Sequence, residues 1–164
     1  MKEKIVSLNE LKSLVGKLKD RGKRVVFTNG CFDLLHVGHI RYLQAAKALG
    51  DILIVGVNSD SSAGRLKGPG RPVIPEDERA EVLASLECVG YVTIFAEETA
   101  EKLVATLKPD FYVKGADYGD EGGKDLPEAK VVANYGGQIR LIPSVPGRST
   151  TEIIERIRRL PGRR

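Results

Sequence analysis

Cysteine is scarce: Cys31 and Cys88 are the only two in 164 residues, and they form no C-x-x-C. Two thiols cannot staple a fold, so a disulfide framework is excluded and a reducing, cytoplasmic setting is expected. No apolar run approaches the ~18 residues of a membrane span. The charged start, Met-Lys-Glu-Lys, lacks a secretory apolar segment. Three catalytic signatures are missing as well. Without G-x-G-x-x-G a dinucleotide oxidoreductase is disfavoured. The absence of G-x-x-x-x-G-K-[ST] excludes a P-loop enzyme, and that of G-x-S-x-G a nucleophile elbow.

What is present suffices for one packed domain. Hydrophobic residues make up 41% and charged residues 29%, enough to bury a core and too apolar for disorder. The formal charge is +4, from 26 basic and 22 acidic residues. Five arginines, Arg156, Arg158, Arg159, Arg163 and Arg164, crowd the C-terminus; 26 less these five leaves 21 against 22, a body near neutrality. A strongly basic nucleic-acid-binding domain is therefore not expected. The reading is a single domain over 1–164: an N-terminal helix in 1–23, a core over 24–159 and a basic tail at 160–164.

Hydrophobic periodicity predicts helices over 7–20, 37–49, 76–87, 99–107, 127–135 and 149–159. Ser7 with Glu10 forms a capping box ahead of the first, and Gly22 stops it. Continuous β-branched and apolar runs predict strands over 24–28, 52–58, 91–95, 111–114 and 138–143, of the kind buried on both faces. Strands alternating with helices give an α/β fold, a Rossmann-like, doubly wound, five-stranded parallel sheet. Such sheets bind ligands beyond the carboxyl ends of their strands, where strand order reverses. Residues that carry chemistry should therefore follow the strands.

They do so in three clusters. After the first strand comes T-N-G-C-F-D-L-L-H-V-G-H, residues 28–39, with the only two histidines of the chain, His36 and His39. A helix starting near Val37 puts both imidazoles and several free N–H groups at its positive end, which suits phosphate. Gly38 would let a phosphate approach the backbone. A zinc site from His36, His39, Asp33 and Cys31 or Cys88 is left open by the spacing. Cys31 beside a helix start could also serve as a nucleophile if a base were placed by it. After the second strand come Asn58 and Asp60, then Arg65, Lys67 and Arg71 among four Gly or Pro residues, a cationic loop suited to closing over polyphosphate. Arg79 could point at the same anion. The third cluster pairs Lys114 and Asp117 with Arg148, Ser149 and Thr150 at the start of the last helix. Residues 121–125 read as an exposed loop without a role.

The stretches T-N-G-C-F-D-L-L-H-V-G-H, V-N-S-D, R-L-K-G-P-G-R-P-V, L-K-P-D-F-Y-V-K-G-A-D-Y and G-R-S-T-T-E-I-I together resemble the cytidylyltransferase-like nucleotidyltransferases. The match is closest to the branch of heptose 1-phosphate adenylyltransferases, often fused to a sugar kinase; the chain looks like the stand-alone form. The resemblance implies transfer of AMP from ATP to D-glycero-D-manno-heptose 1-phosphate, giving ADP-heptose and pyrophosphate for lipopolysaccharide core synthesis. It implies catalytic roles for His36, His39 and Lys67. Nucleotide would be bound by Asn29, Gly30, Cys31, Phe32, Asp33, Gly38, His39, Arg79, Lys114, Asp117, Arg148, Ser149 and Thr150. The second substrate would meet Asn58, Asp60, Arg65, Lys67 and Lys114. Magnesium would accompany ATP, held through phosphates and water without a protein-only cage. The expected partners are thus ATP and a sugar 1-phosphate, with no nucleic acid or membrane, in a homo-oligomer, a dimer. Two other readings stand beside this one: a CTP-dependent cytidylyltransferase for a polyol phosphate such as glycerol 3-phosphate, and a non-catalytic anion-binding module using the Arg-rich tail.

Overall fold

The computed structural model describes residues 2–162, so Arg163 and Arg164 of the basic tail lie outside the described residues. A 3-10 turn (Lys2–Lys4) leads into α1 (Leu8–Asp20), capped by Ser7 and Glu10 in the predicted box. Then follow β1 (Val25–Gly30), α2 (Val37–Lys47), β2 (Ile52–Asn58), α3 (Asp60–Lys67), α4 (Glu76–Ala84) and β3 (Tyr91–Phe95). The chain continues through α5 (Glu101–Leu107), β4 (Phe111–Gly115), α6 (Gly119–Gly122), α7 (Glu128–Tyr135), β5 (Gln138–Ile142) and α8 (Thr150–Arg158).

All five strands are parallel, in the order β3-β2-β1-β4-β5. The chain runs outward from β1 through β2 to β3, then crosses back to β4 on the other side of β1. The doubly wound sheet read from the sequence is therefore present, with β1 central and the reversal between β1 and β4. Neighbouring residues of β1 and β2 serve opposite faces. Val25, Phe27 and Ile54 pack with Leu11, Leu103, Val104 and Val132. Val26, Leu53, Val55 and Val57 pack with Leu43, Ala46, Ala80 and Leu83. Gly56, mid-strand, leaves room for the Phe27 ring, which a Cβ there would meet at 3.0 Å. β5, at the edge, departs from the buried pattern: Gln138, Arg140 and Leu141 are exposed, as an edge strand with one neighbour permits.

The principal correction concerns residues 60–67, whose last three belong to the stretch read from its Gly and Pro residues as a cationic loop. They form α3, because Ser59 Oγ caps the helix by accepting from Ser62 N at 3.2 Å and Asp60 sits in the first turn. Arg65 and Lys67 thus stand on the last turn of a helix, and the Gly/Pro segment begins only at Gly68. Residues 119–122 form the short α6, whose second half overlaps the start of 121–125, the stretch read as a loop.

Arg79 is corrected as well. Its side chain is 2% exposed and spends its donors inside the protein. Nε donates to Ile74 O at 2.8 Å, Nη1 to Cys31 O at 2.6 Å and Asn58 O at 2.9 Å, and Nη2 to Asp60 Oδ1 at 2.8 Å. It ties the ends of β1 and β2 to the start of α3, and cannot reach an anion. Replacing it leaves several carbonyls unpaired, at about 1–3 kcal/mol for each buried group. Arg79→Met should therefore lose about 3 kcal/mol or more of folding stability, read as a lower urea midpoint at unchanged m-value. An arginine serving only a ligand would leave that midpoint where it is.

Candidate functional site

The carboxyl ends of β1, β2 and β4 open onto two adjoining cavities, of about 350 Å³ and about 720 Å³. The smaller lies at the reversal point, between the β1–α2 turn and the start of α8, and is lined by Asn29, Gly30, Cys31, Phe32, Asp33, His36, Gly38, His39, Lys67, Lys114, Asp117, Arg148, Ser149 and Thr150. The larger adds Asn58 and shares Asn29, Cys31, Lys67 and Lys114. Asp60, Arg65 and Arg79 line neither cavity. Asp60 holds Arg79, and Arg65 is turned to Ala96 O and Glu98 at 2.8 and 3.1 Å.

The two imidazoles cap α2 themselves. His36 Nδ1 accepts from Gly38 N at 3.1 Å, and His39 Nδ1 accepts from His36 N at 3.3 Å. An Nδ1 that accepts carries no proton, so in each neutral ring the proton sits on Nε2 as a donor. The ring centroids are 3.9 Å apart, with the planes tilted by 34°. Burial first, then the neighbouring His36 and Lys67, push His39 down to about 4. Burial, then Arg148, lowers His36. Both are neutral donors at neutral pH. Gly38 serves this arrangement rather than a bare phosphate approach: a Cβ there would meet His36 Cε1 at 2.8 Å.

Asp33, read as a nucleotide or metal contact, is a structural staple. Its carboxylate accepts from Val73 N at 2.8 Å, Ile74 N at 3.0 Å and Arg71 Nε at 2.9 Å. Burial alone would raise its pKa, but those bonds and Arg71 hold it below the usual carboxylate range. The Thr150 hydroxyl is spent in the same sense, donating to Asp33 O at 2.7 Å, which leaves the backbone N–H as the donor Thr150 has to offer. The Ser149 Oγ accepts from Glu152 N at 3.1 Å and keeps its own hydrogen to donate. Zinc has no support here: both Asp33 oxygens are engaged, and among the described residues no three His, Cys, Asp or Glu side chains form a metal-holding group. Cys31 suits no nucleophile's role either, because burial raises its pKa against the pull of Lys67, Arg79 and Lys114.

Lys114, on β4, is 8% exposed and stands between the cavities. Its ammonium donates to Asn29 O at 3.0 Å and lies 4.3 Å from the centre of the Tyr118 ring. Burial lowers it to about 8, with Glu128 and Asp117 opposing. Asp117 is paired with Lys124 and does not extend freely to a ligand. The sequence reading passed over Tyr42, Tyr118, Lys124 and Glu128, all cavity-lining. Lys124 was legible only as part of a polar loop, and Glu128 only as an acidic first residue after Pro127.

Known proteins resemble this chain along most of its length. A family model described as cytidylyltransferase-like matches residues 27–156. The bifunctional protein HldE of Geobacter metallireducens is 55% identical over 161 residues, 97% of this chain and 32% of that protein. That of Syntrophotalea carbinolica is 56% identical over 156 residues, 94% of this chain and 31% of that protein. The chain thus spans about a third of the curated relatives it matches. A crystal structure of a lipopolysaccharide core biosynthesis protein from Thermoplasma volcanium aligns with TM-score 0.61 at 29% identity, over 76% of this chain and 98% of that one. Pantothenate synthetase from Thermus thermophilus aligns with TM-score 0.62 at 15% identity, over 87% and 62% respectively, a likeness of fold.

The neutral histidines predict a pH dependence. The unfolded imidazole titrates near 6.5 and native His39 near 4, so the unfolded chain takes up protons first on acidification. Stability is full above about pH 6.5 and falls as the pH drops towards about 4. Asp33, held below its ordinary 3.8, contributes further down. Urea midpoints between pH 7.5 and 4.5 should show the fall, flattened in His39→Gln. A wild-type midpoint that is level across this range would contradict neutral native imidazoles.

Proposed function

The chain belongs to the cytidylyltransferase-like family, and we propose that it transfers AMP from ATP to D-glycero-D-manno-heptose 1-phosphate, releasing pyrophosphate in the making of lipopolysaccharide core. The observation that carries this reading is the pair of neutral imidazoles held by the backbone at the start of α2, opposite the start of α8. Two Nε2–H donors, the Ser149 hydroxyl, Arg148 and the open amides of α8 converge on one cavity, as a triphosphate requires. The heptose acceptor is supported by the HldE relatives and the Thermoplasma volcanium structure.

In this reading a phosphate oxygen of the sugar attacks the α-phosphorus in line. The new P–O bond forms as the bond to the bridging oxygen breaks, and the electron pair leaves with pyrophosphate. The chain supplies position and charge. His36 and His39 donate to non-bridging and leaving oxygens, and being neutral they do so without surrendering a proton. Lys114 and Lys67, which border both cavities, hold the attacking phosphate against the α-phosphate. Cys31 takes no covalent part. Asp33 and Asp117, the carboxylates bordering this cavity, are already engaged, so magnesium accompanying ATP would be held through phosphate oxygens and water and would offset phosphate charge.

Pyrophosphate release from ATP or CTP, each with heptose 1-phosphate or glycerol 3-phosphate, tests the reading. Turnover is expected for ATP with the heptose; preference for CTP with glycerol 3-phosphate would overturn the assignment. His39→Ala should lower kcat by about 10²–10³-fold, the loss that follows removal of one preorganised donor. Wild-type kcat in that variant, with chemistry limiting, would remove the imidazole pair from the mechanism.

A further inference from the structure

The larger cavity carries two buried charges that do not touch. Lys114 stands at its shared end, 8% exposed. Glu128, the first residue of α7, lines the larger cavity alone and is 5% exposed. Among the described residues Glu128 forms no ion pair, although its charge raises the pKa of Lys114 across the cavity. One of its oxygens accepts from Ala100 N at 2.8 Å. The Tyr112 hydroxyl lies near the Glu128 carboxylate but donates to Asn29 Oδ1; since no buried side-chain nitrogen or oxygen of the described residues lacks a partner, the second Glu128 oxygen opens on the cavity that Glu128 lines. A buried carboxylate keeps its charge only where donors reach it.

Two amides extend the pattern. Asn58 Nδ2 donates to Ser62 Oγ at 2.8 Å, which leaves its Oδ1 to accept from an occupant. The Tyr112 hydroxyl donates to Asn29 Oδ1 at 2.6 Å, which leaves the Asn29 NH₂ as a donor. The wall therefore offers cations and a donor at the end shared with the triphosphate cavity, and acceptors beyond it. An apolar occupant would strip water from Glu128 and return nothing. An occupant with an anionic group at one end and several hydroxyls along its length satisfies every group.

We propose that Glu128 is a specificity-determining residue: its carboxylate, with Asn58 Oδ1, reads the hydroxyls of a sugar phosphate whose phosphate rests at Lys114 and Lys67. The proposal builds on the reading of the acceptor as a sugar phosphate, and assigns its hydroxyl-bearing carbons to the larger cavity.

Glu128→Gln tests it, because glutamine retains an oxygen for Ala100 N while losing the charge. Calorimetric binding of heptose 1-phosphate, with a non-hydrolysable ATP analogue present, should weaken about tenfold, the value of one charged hydrogen bond. Binding of glycerol 3-phosphate and inorganic phosphate should hold within twofold. In turnover the KM for the heptose should rise while kcat and the KM for ATP stay. Unchanged heptose binding, or equal weakening of inorganic phosphate, would overturn the role of Glu128. So would a wild-type protein that binds no heptose 1-phosphate. Wild-type binding without turnover would overturn adenylyl transfer alone. Should the variant fail to fold, deoxy analogues of the sugar phosphate ask the same question of the wild type. At least one missing hydroxyl should then cost about tenfold in affinity, and equal affinity throughout would overturn the proposal.

Discussion

The carboxylate of Asp33 holds the site together. It sits between Phe32 and Leu34, whose φ values of 50° and 49° place two bulky residues in the left-handed region. Such residues cost about 1–3 kcal/mol each and persist only where their surroundings fix them. Two backbone N–H groups and Arg71 do so through the side chain, and Thr150 through the carbonyl oxygen. One buried residue thereby joins the β1–α2 turn, the segment between α3 and α4, and the start of α8. The placement of His36 and His39 opposite Ser149 follows from that junction. Where anion binding depends on groups from distant parts of the chain, a charge-assisted junction at their centre preorganises them.

Several side chains of functional type are spent on structure, and this determines which others can act. Arg79 and Asp60 are paired with each other, Arg65 with Glu98, and Asp117 with Lys124. What stays open towards the smaller cavity is a smaller set: two Nε2–H donors, Lys67, Lys114, Arg148 and the Ser149 hydroxyl. All of these are cations or neutral donors. The smaller cavity therefore offers cations and donors with almost no free carboxylate to oppose an anion.

The sheet was legible because β1 and β2 are buried on both faces, so their sequence is a continuous apolar run with no competing period. The H-x-G-H cluster was legible because the chain has only two histidines, both at one strand-to-helix turn. Helix α3 was not, because a Ser cap is a short signal beside Gly64, Gly68, Pro69 and Gly70. Arg79 and Asp33 were misread for a common reason. Residue type announces charge, but whether that charge meets solvent or carbonyls depends on packing between segments more than forty positions apart, as with Arg79 and Cys31. Glu128 escaped notice because nothing near it in sequence marks it; only the fold sets it in a cavity with Lys114.

Lysine and histidine divide the electrostatic work by their different burial. Burial lowers both, but His39 reaches about 4 and Lys114 only about 8. Near neutral pH the imidazoles are therefore uncharged while Lys114 is mostly charged. A phosphate entering beside Lys114 restores the stabilisation that burial removes, and so favours the protonated amine further. The imidazoles need no such change, since their Nε2–H donors are present before and after the anion binds. A site that had to protonate its histidines would bind phosphate only as the pH fell. With tautomers fixed by Gly38 N and His36 N, the donors are set by the backbone itself, and the chemistry they support does not wait on proton uptake by these two rings.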